Sequence, residues 1–244
     1  EELGLRDGYR WSPDGKSIAY WQLDEEGVPL MHMLNNVSGY YPKLITFRYP
    51  KTGETNAICR VGVVQLKNGM TTWVKVPGDP RNHYLARMEW AASSEELHLQ
   101  QLNRLQNTNR VMLANARDGE VKTVYTDRDD AWIEVRFGFT KWIDKGNQFT
   151  YVSEREGWRQ IYLVSREGEA VQKVTGGNYD VIRALKIDEA NQWLYFIASP
   201  HNATQRYLYR VGLDGKNLIR LSPAEQTGSH SYSISPDAKW AVHT

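Results

Sequence analysis

The chain has 244 residues, 41% of them apolar, with nine Trp and fourteen Tyr; this is ample for a core and weighted toward strand-forming residues. Lys+Arg 30 against Asp+Glu 29 leave it near neutrality, and no basic block stands out, so the electrostatic footprint of a nucleic-acid binder is missing. No run approaches the ~18 apolar residues of a membrane-spanning helix, and the single Cys59 excludes an intrachain disulfide or a cysteine zinc site.

In chain order, the carboxylate pair Glu1-Glu2 leads into Trp11-Ser12-Pro13-Asp14-Gly15, a polar turn followed by the apolar run SIAYW. Proline presets φ and glycine accepts the left-handed region, so such a turn between apolar runs predicts a hairpin. The strand CRVGVVQLKNG at Cys59–Gly69 completes a first unit over about 9–78. That unit carries a surplus of roughly thirty residues between Glu26 and Asn56. The surplus contains Pro42 and Pro50, whose constraint on the preceding residues suits an extended arm better than a helix. A second unit over 83–127 opens on Trp90 and closes through NRVMLANARDG at Asn109–Gly119. Within it Leu97–Leu105 could be drawn as a short helix, but its place in the pattern predicts a strand. A third unit over 132–176 has Trp142 and RQIYLVSREG at Arg159–Gly168; a fourth over 179–222 has Ile187 and QRYLYRVGLDG at Gln205–Gly215. Ile234-Ser235-Pro236-Asp237-Ala238 starts another at 230–244.

The turn glycines Gly69, Gly119, Gly168 and Gly215 are separated by 50, 49 and 47 residues. A period of that size marks a repeat architecture whose units must stack to bury their apolar faces. Asn-Gly and Asp-Gly suit tight hairpins. Two hairpins per unit make four antiparallel strands, the blade of an all-β propeller. The Gly-His…Trp-Asp signature of one propeller class is absent, as is the repeated double glycine of another.

Sharper chemical motifs fail. G-x-S-x-G is missing, so the chain has no nucleophile elbow. Gly15-Lys16-Ser17 lacks the glycine that a P-loop needs five positions earlier, where Arg10 stands. The six histidines are scattered without metal-ligand spacing. Asn36-Val37-Ser38 and Asn202-Ala203-Thr204 are formal glycosylation sequons, meaningful only in a eukaryotic secretory protein. The pairs Glu25-Glu26 and Glu95-Glu96 read as solvated surface, and taken alone Glu1-Glu2 would read the same way.

Four segments change that reading. EELGLRDGYRWSPDGKSIAY at 1–20, YPKTGETN at 49–56, LNRLQNTNRVM at 102–112 and SEREGWRQIYL at 153–163 lie in order and at matching spacing. In them the chain resembles the N-terminal β-propeller of the dipeptidyl peptidase IV family of serine peptidases, in its bacterial form. The resemblance covers essentially the whole chain. It implies about four and a half blades of an eight-bladed propeller, excerpted from a longer protein whose α/β-hydrolase domain carries the catalytic Ser, Asp and His. It further implies that Glu1 and Glu2 bind the α-ammonium of a peptide substrate, and that Arg136 and Phe137 line the substrate cavity. The 153–159 segment is expected to be structural, its Trp158 packing between blades while Arg and Glu pair at the hairpin.

The expected function is therefore that of a propeller which gates the active site of an exopeptidase releasing N-terminal dipeptides with Pro or Ala second. The expected partners are a peptide substrate and a second copy docked through the 27–56 arm; no cofactor, metal or nucleic acid is expected. The resemblance favours a periplasmic or secreted location. The alternative is a non-catalytic scaffold: an inactive member of the family or a TolB-like interaction propeller.

Overall fold

The alternating runs pair as antiparallel strands throughout the residues that the computed structural model describes, 3–5, 7–136 and 138–244. The first sheet begins with β1 (Tyr9–Trp11) and β2 (Ser17–Asp24). The chain then leaves it for a separate hairpin, β3 (Leu30–Asn35) and β4 (Lys43–Arg48), and returns through β5 (Ile58–Gln65) and β6 (Thr71–Trp73). The sheet order is β1-β2-β5-β6. A second sheet is β7 (His83–Trp90), β8 (Glu96–Asn103), β9 (Thr108–Asn115) and β10 (Val121–Arg128). The third is β11 (Trp142–Ile143), β12 (Gln148–Ser153), β13 (Gln160–Ser165) and β14 (Val171–Lys173). The fourth is β15 (Val181–Asp188), β16 (Trp193–Ala198), β17 (Tyr207–Gly212) and β18 (Ile219–Arg220). A two-stranded sheet, β19 (Tyr232–Ile234) and β20 (Ala241–His243), follows. The stretch that could be drawn as a helix is β8. Each four-stranded sheet is a propeller blade, with its strands in sequence order apart from the excursion in the first.

The Ser-Pro-Asp turn is a small machine for reversing the chain, and the sequence uses it twice. The Ser12 hydroxyl donates to Asp14 Oδ1 at 2.7 Å and accepts from the Ser17 amide at 2.9 Å. Asp14 Oδ1 also accepts the Lys16 amide, and with the Ser12 hydroxyl this holds its carboxyl down at about 2. Ser235, Asp237, Lys239 and Trp240 repeat the arrangement. Local side-chain bonds of this kind replace the sheet ladder where the backbone turns.

The chain forms two compact units, residues 1–105 with 111–123 and residues 106–110 with 124–244. In the first, Val61, Val63, Leu85, Leu97, Leu99 and Met112 are buried together. In the second the equivalent cluster includes Ile161, Val181, Leu194, Phe196 and Tyr209. Each such side chain contributes ~1.5–3 kcal/mol of burial.

The repeat period has a packing cause inside each unit. Gly119, with φ +76°, turns the chain between β9 and β10, and a Cβ there would stand 2.1 Å from the Trp73 carbonyl oxygen on β6. Gly168, with φ +79°, turns the chain between β13 and β14, and its Cβ would stand 1.7 Å from the Val124 carbonyl oxygen on β10. Each turn thus presses its backbone on the last strand of the preceding sheet, which only glycine permits.

The 27–56 excursion is a hairpin rather than a plain extended arm. β3 and β4 pair only with each other, from Leu30↔Arg48 to Asn35↔Lys43. The base is tied down: Arg48 donates to the Val28 carbonyl at 2.7 Å, and Arg81 donates to the carbonyls of Asn56 and Glu26. The tip is apolar and bare, with Val37 92% and Tyr40 104% exposed. A lone two-stranded hairpin is marginal in water.

Candidate functional site

The segment that follows Glu1-Glu2 is held to β7 by a set of polar ties. Glu1 and Glu2 themselves lie outside the described residues, as does Phe137. From Leu3 onward the path is clear. Buried Arg87, on β7, donates through Nη1 to the Leu3 carbonyl at 2.7 Å. Arg10 Nε donates to Glu89 Oε1 at 2.9 Å, and its Nη1 donates to Asp7 Oδ1 at 2.8 Å. The Trp90 indole donates to the Arg10 carbonyl at 3.2 Å. Partial burial pulls the Arg10 pKa down, but its bonds to Asp7 and Glu89 outweigh this and the net shift is upward. Asp7 is held below its ordinary value, chiefly by its hydrogen bond to Arg10.

The reason Arg87 can reach this segment lies in β7. Its pairing with β8 slips between Leu85 and Arg87, so Ala86 is a bulge. A bulge frees carbonyls and re-aims side chains. Here Trp21 Nε1 takes the Leu85 carbonyl at 3.2 Å, and Arg87 takes the Ala86 carbonyl as well as that of Leu3. Sequence reasoning passed over Arg87. The available signal was an arginine inside Leu85-Ala86-Arg87-Met88, four consecutive buried residues where a regular strand would alternate.

Arg136 sits in the loop between β10 and β11, which is fixed at both ends. Asp129 Oδ1 accepts the amides of Ala131 and Trp132, which lowers its pKa, and buried Ile133 donates its amide to the Gln106 carbonyl at 2.8 Å. At the other end the Thr150 hydroxyl donates to the Phe139 carbonyl and accepts the Lys141 amide. Between these anchors Arg136 is exposed, with Nη2 at 3.5 Å from Glu134 Oε2. Its guanidinium, paired with Glu134, faces solvent.

The 153–159 turn is more tightly organised. Arg155 lies over the Tyr125 and Tyr162 rings, with Asp127 at 3.7 Å. Burial raises the Asp127 pKa and lowers that of Arg155, so desolvation outweighs an attraction across that gap. Arg159 pairs with Glu154 at 2.8 Å, the expected hairpin pair. Trp158 is less buried than expected, at 41% exposed. It borders an open cleft of about 350 Å³ with Tyr179, Asp180 and His201.

A second cleft, about 240 Å³, is lined by Phe139, Trp142, Ile143 and Leu194 with Lys141, Lys186 and Glu189. Arg136 does not line it. Burial pushes the Cys59 thiol up to about 11, which removes it as a nucleophile near neutrality. Among the described residues no three His, Cys, Asp or Glu side chains gather as metal ligands, and no helix is long and apolar enough to cross a membrane. What the described arrangement offers is a set of polar ties at Leu3, Asp7 and Arg10 and an exposed guanidinium at Arg136.

Comparison with known proteins agrees over the full length. The family model for the dipeptidyl peptidase IV N-terminal region matches residues 1–244. A probable dipeptidyl peptidase 4 of Emericella nidulans is 26% identical over 98% of this chain and 33% of its own length. The crystal structure of Porphyromonas gingivalis dipeptidyl peptidase 4 superposes with a TM-score of 0.89 at 26% identity, covering 100% of this chain and 34% of that one. A putative dipeptidyl aminopeptidase IV from Bacteroides ovatus, 22% identical with a TM-score of 0.86, has the same fold over 99% of this chain and 36% of its own. The chain thus spans about a third of the length of the relatives it matches.

Proposed function

The chain belongs to the family of dipeptidyl peptidase IV N-terminal regions, and on that premise we propose that it is the propeller portion of a serine exopeptidase of that kind. The parent protein releases N-terminal dipeptides with Pro or Ala in the second position. A hydrolase domain outside this chain supplies the Ser, Asp and His. The propeller gates access to that domain and anchors the amino end of the substrate.

Glu1 and Glu2 are the anchor. An α-amino group, with a pKa near ~8, is mostly protonated at neutral pH. Two carboxylates can hold it by charge-assisted hydrogen bonds in a partly desolvated cavity. Fixing the amino end at a set distance from the nucleophile makes the enzyme count two residues. Arg136 and Phe137 line the cavity. The 27–56 hairpin, bare and apolar at its tip, docks on a second copy in the intact parent. The observation that carries the reading is the match to the family over all of residues 1–244. The ties at Leu3 and Arg10 support it, because an anchor needs a rigid support.

Glu1→Gln and Glu2→Gln, made separately in the intact protein, test the anchor on a Gly-Pro reporter. Losing one charge-assisted bond, ~1.5–3 kcal/mol, lowers kcat/KM by about 10- to 150-fold, mostly through KM. Unchanged kinetics in both variants would reject it. The other reading, a non-catalytic scaffold, is separated by the reading frame that follows Thr244. A nucleophile elbow resembling G-W-S-Y-G-G there supports the peptidase, and a substituted serine supports the scaffold.

A further inference from the structure

We propose that Arg87 is a positioning residue for the amino-terminal anchor: its buried guanidinium, aimed by the bulge at Ala86, clamps the backbone that carries Glu1 and Glu2. The proposal rests on the reading of those two residues as the anchor.

The geometry is specific to this role. Arg87 is 8% exposed, and a buried guanidinium is tolerated only where carbonyls or carboxylates take up its donors. One Nη1 contact goes to Ala86, within β7 itself, and serves the strand. The other goes to Leu3, 84 residues away in sequence and covalently joined to Glu2. That second bond also satisfies a buried donor, but it fixes a stretch outside the sheet: β1 begins only at Tyr9 and residues 3–5 belong to no strand. The segment is fixed again further along by Arg10 to Glu89 and by Trp90 to the Arg10 carbonyl. Those ties act at Arg10, on β1. Among the described residues, Arg87 supplies the tie closest in sequence to Glu1 and Glu2.

The bulge is what makes this work. A regular β7 would alternate its side chains across the sheet, whereas the slip between Leu85 and Arg87 breaks that alternation. The carbonyls of Leu85 and Ala86 that the slip releases are occupied by Trp21 and Arg87. Both partners stiffen the bulge, so the guanidinium reaches the Leu3 carbonyl from a fixed base.

The test uses the intact protein with Arg87→Gln, Glu2→Gln and the double variant, assayed on a Gly-Pro reporter. Hydrogen exchange of amides 3–8 is followed in parallel. Arg87→Gln is expected to raise KM about tenfold with kcat within about twofold, and to speed exchange in residues 3–8. Arg87→Lys, which keeps a donor and the charge, is expected to recover part of the KM and serves alone if Arg87→Gln fails to fold. In the Glu2→Gln background the extra KM penalty of Arg87→Gln is expected to shrink to less than about threefold, because the clamp acts through the carboxylates. An equal penalty in both backgrounds, or unchanged exchange in 3–8, overturns the proposal while leaving the anchor standing. Unchanged KM in both Glu1→Gln and Glu2→Gln overturns the anchor, and the proposal with it.

Discussion

Two excursions from the first sheet are built in opposite ways. Before β1, Leu3 is tied to β7 by Arg87 and Asp7 is tied to β1 by Arg10, which in turn bonds Glu89 on β7. The 27–56 hairpin is tied only at its base, and its apolar tip meets nothing in the described chain. The difference matches the two tasks proposed for these segments. A segment that must hold charged groups at a set distance needs directional bonds to a rigid strand. A segment that must be covered by another surface needs exposed apolar area, and Tyr is well suited to supply it.

That contrast can be broken from either side. The largest effect is expected at the arm: Tyr40→Asp with Tyr41→Asp weakens self-association of the intact protein by about 100-fold or more, since charge is placed in an apolar contact. Analytical ultracentrifugation reads this, and kcat/KM per protomer stays within about twofold. An arm variant that self-associates like the parent removes the docking role. The smallest effect is expected at Arg136. It is exposed and its nearest acidic partner, Glu134, is 3.5 Å away, so Arg136→Ala changes kcat/KM by less than about fivefold. A loss as large as that expected for Glu1→Gln would make the loop a second anchor and erase the distinction drawn from its looser support.

The repeat was legible because it has a local cause. The turn glycines Gly119, after Asp118, and Gly168, after Glu167, are needed twice over, by a positive φ and by a carbonyl of the preceding sheet that leaves no room for Cβ. The Ser-Pro-Asp turns were equally readable, since their bonds close within five residues. The anchor pair could be named only through the family resemblance, because two adjacent glutamates carry no pattern of their own. Arg87 was hidden for a different reason. Its partner Leu3 is 84 residues distant, and the bulge that aims it depends on pairing between β7 and β8. The exposure of Trp158 was misjudged because an aromatic residue beside a hairpin gives no sign of how far it is covered.

The central claim is that this propeller holds its substrate by the free amino end. Its most direct test compares a Gly-Pro reporter with the same reporter acetylated on the α-nitrogen, using the intact protein. Acetylation removes the charge and with it both charge-assisted contacts, so the account predicts a fall in kcat/KM of at least about 100-fold. It also predicts that the double variant Glu1→Gln with Glu2→Gln loses most of that discrimination. Cleavage of the acetylated reporter as fast as the free one would contradict the account.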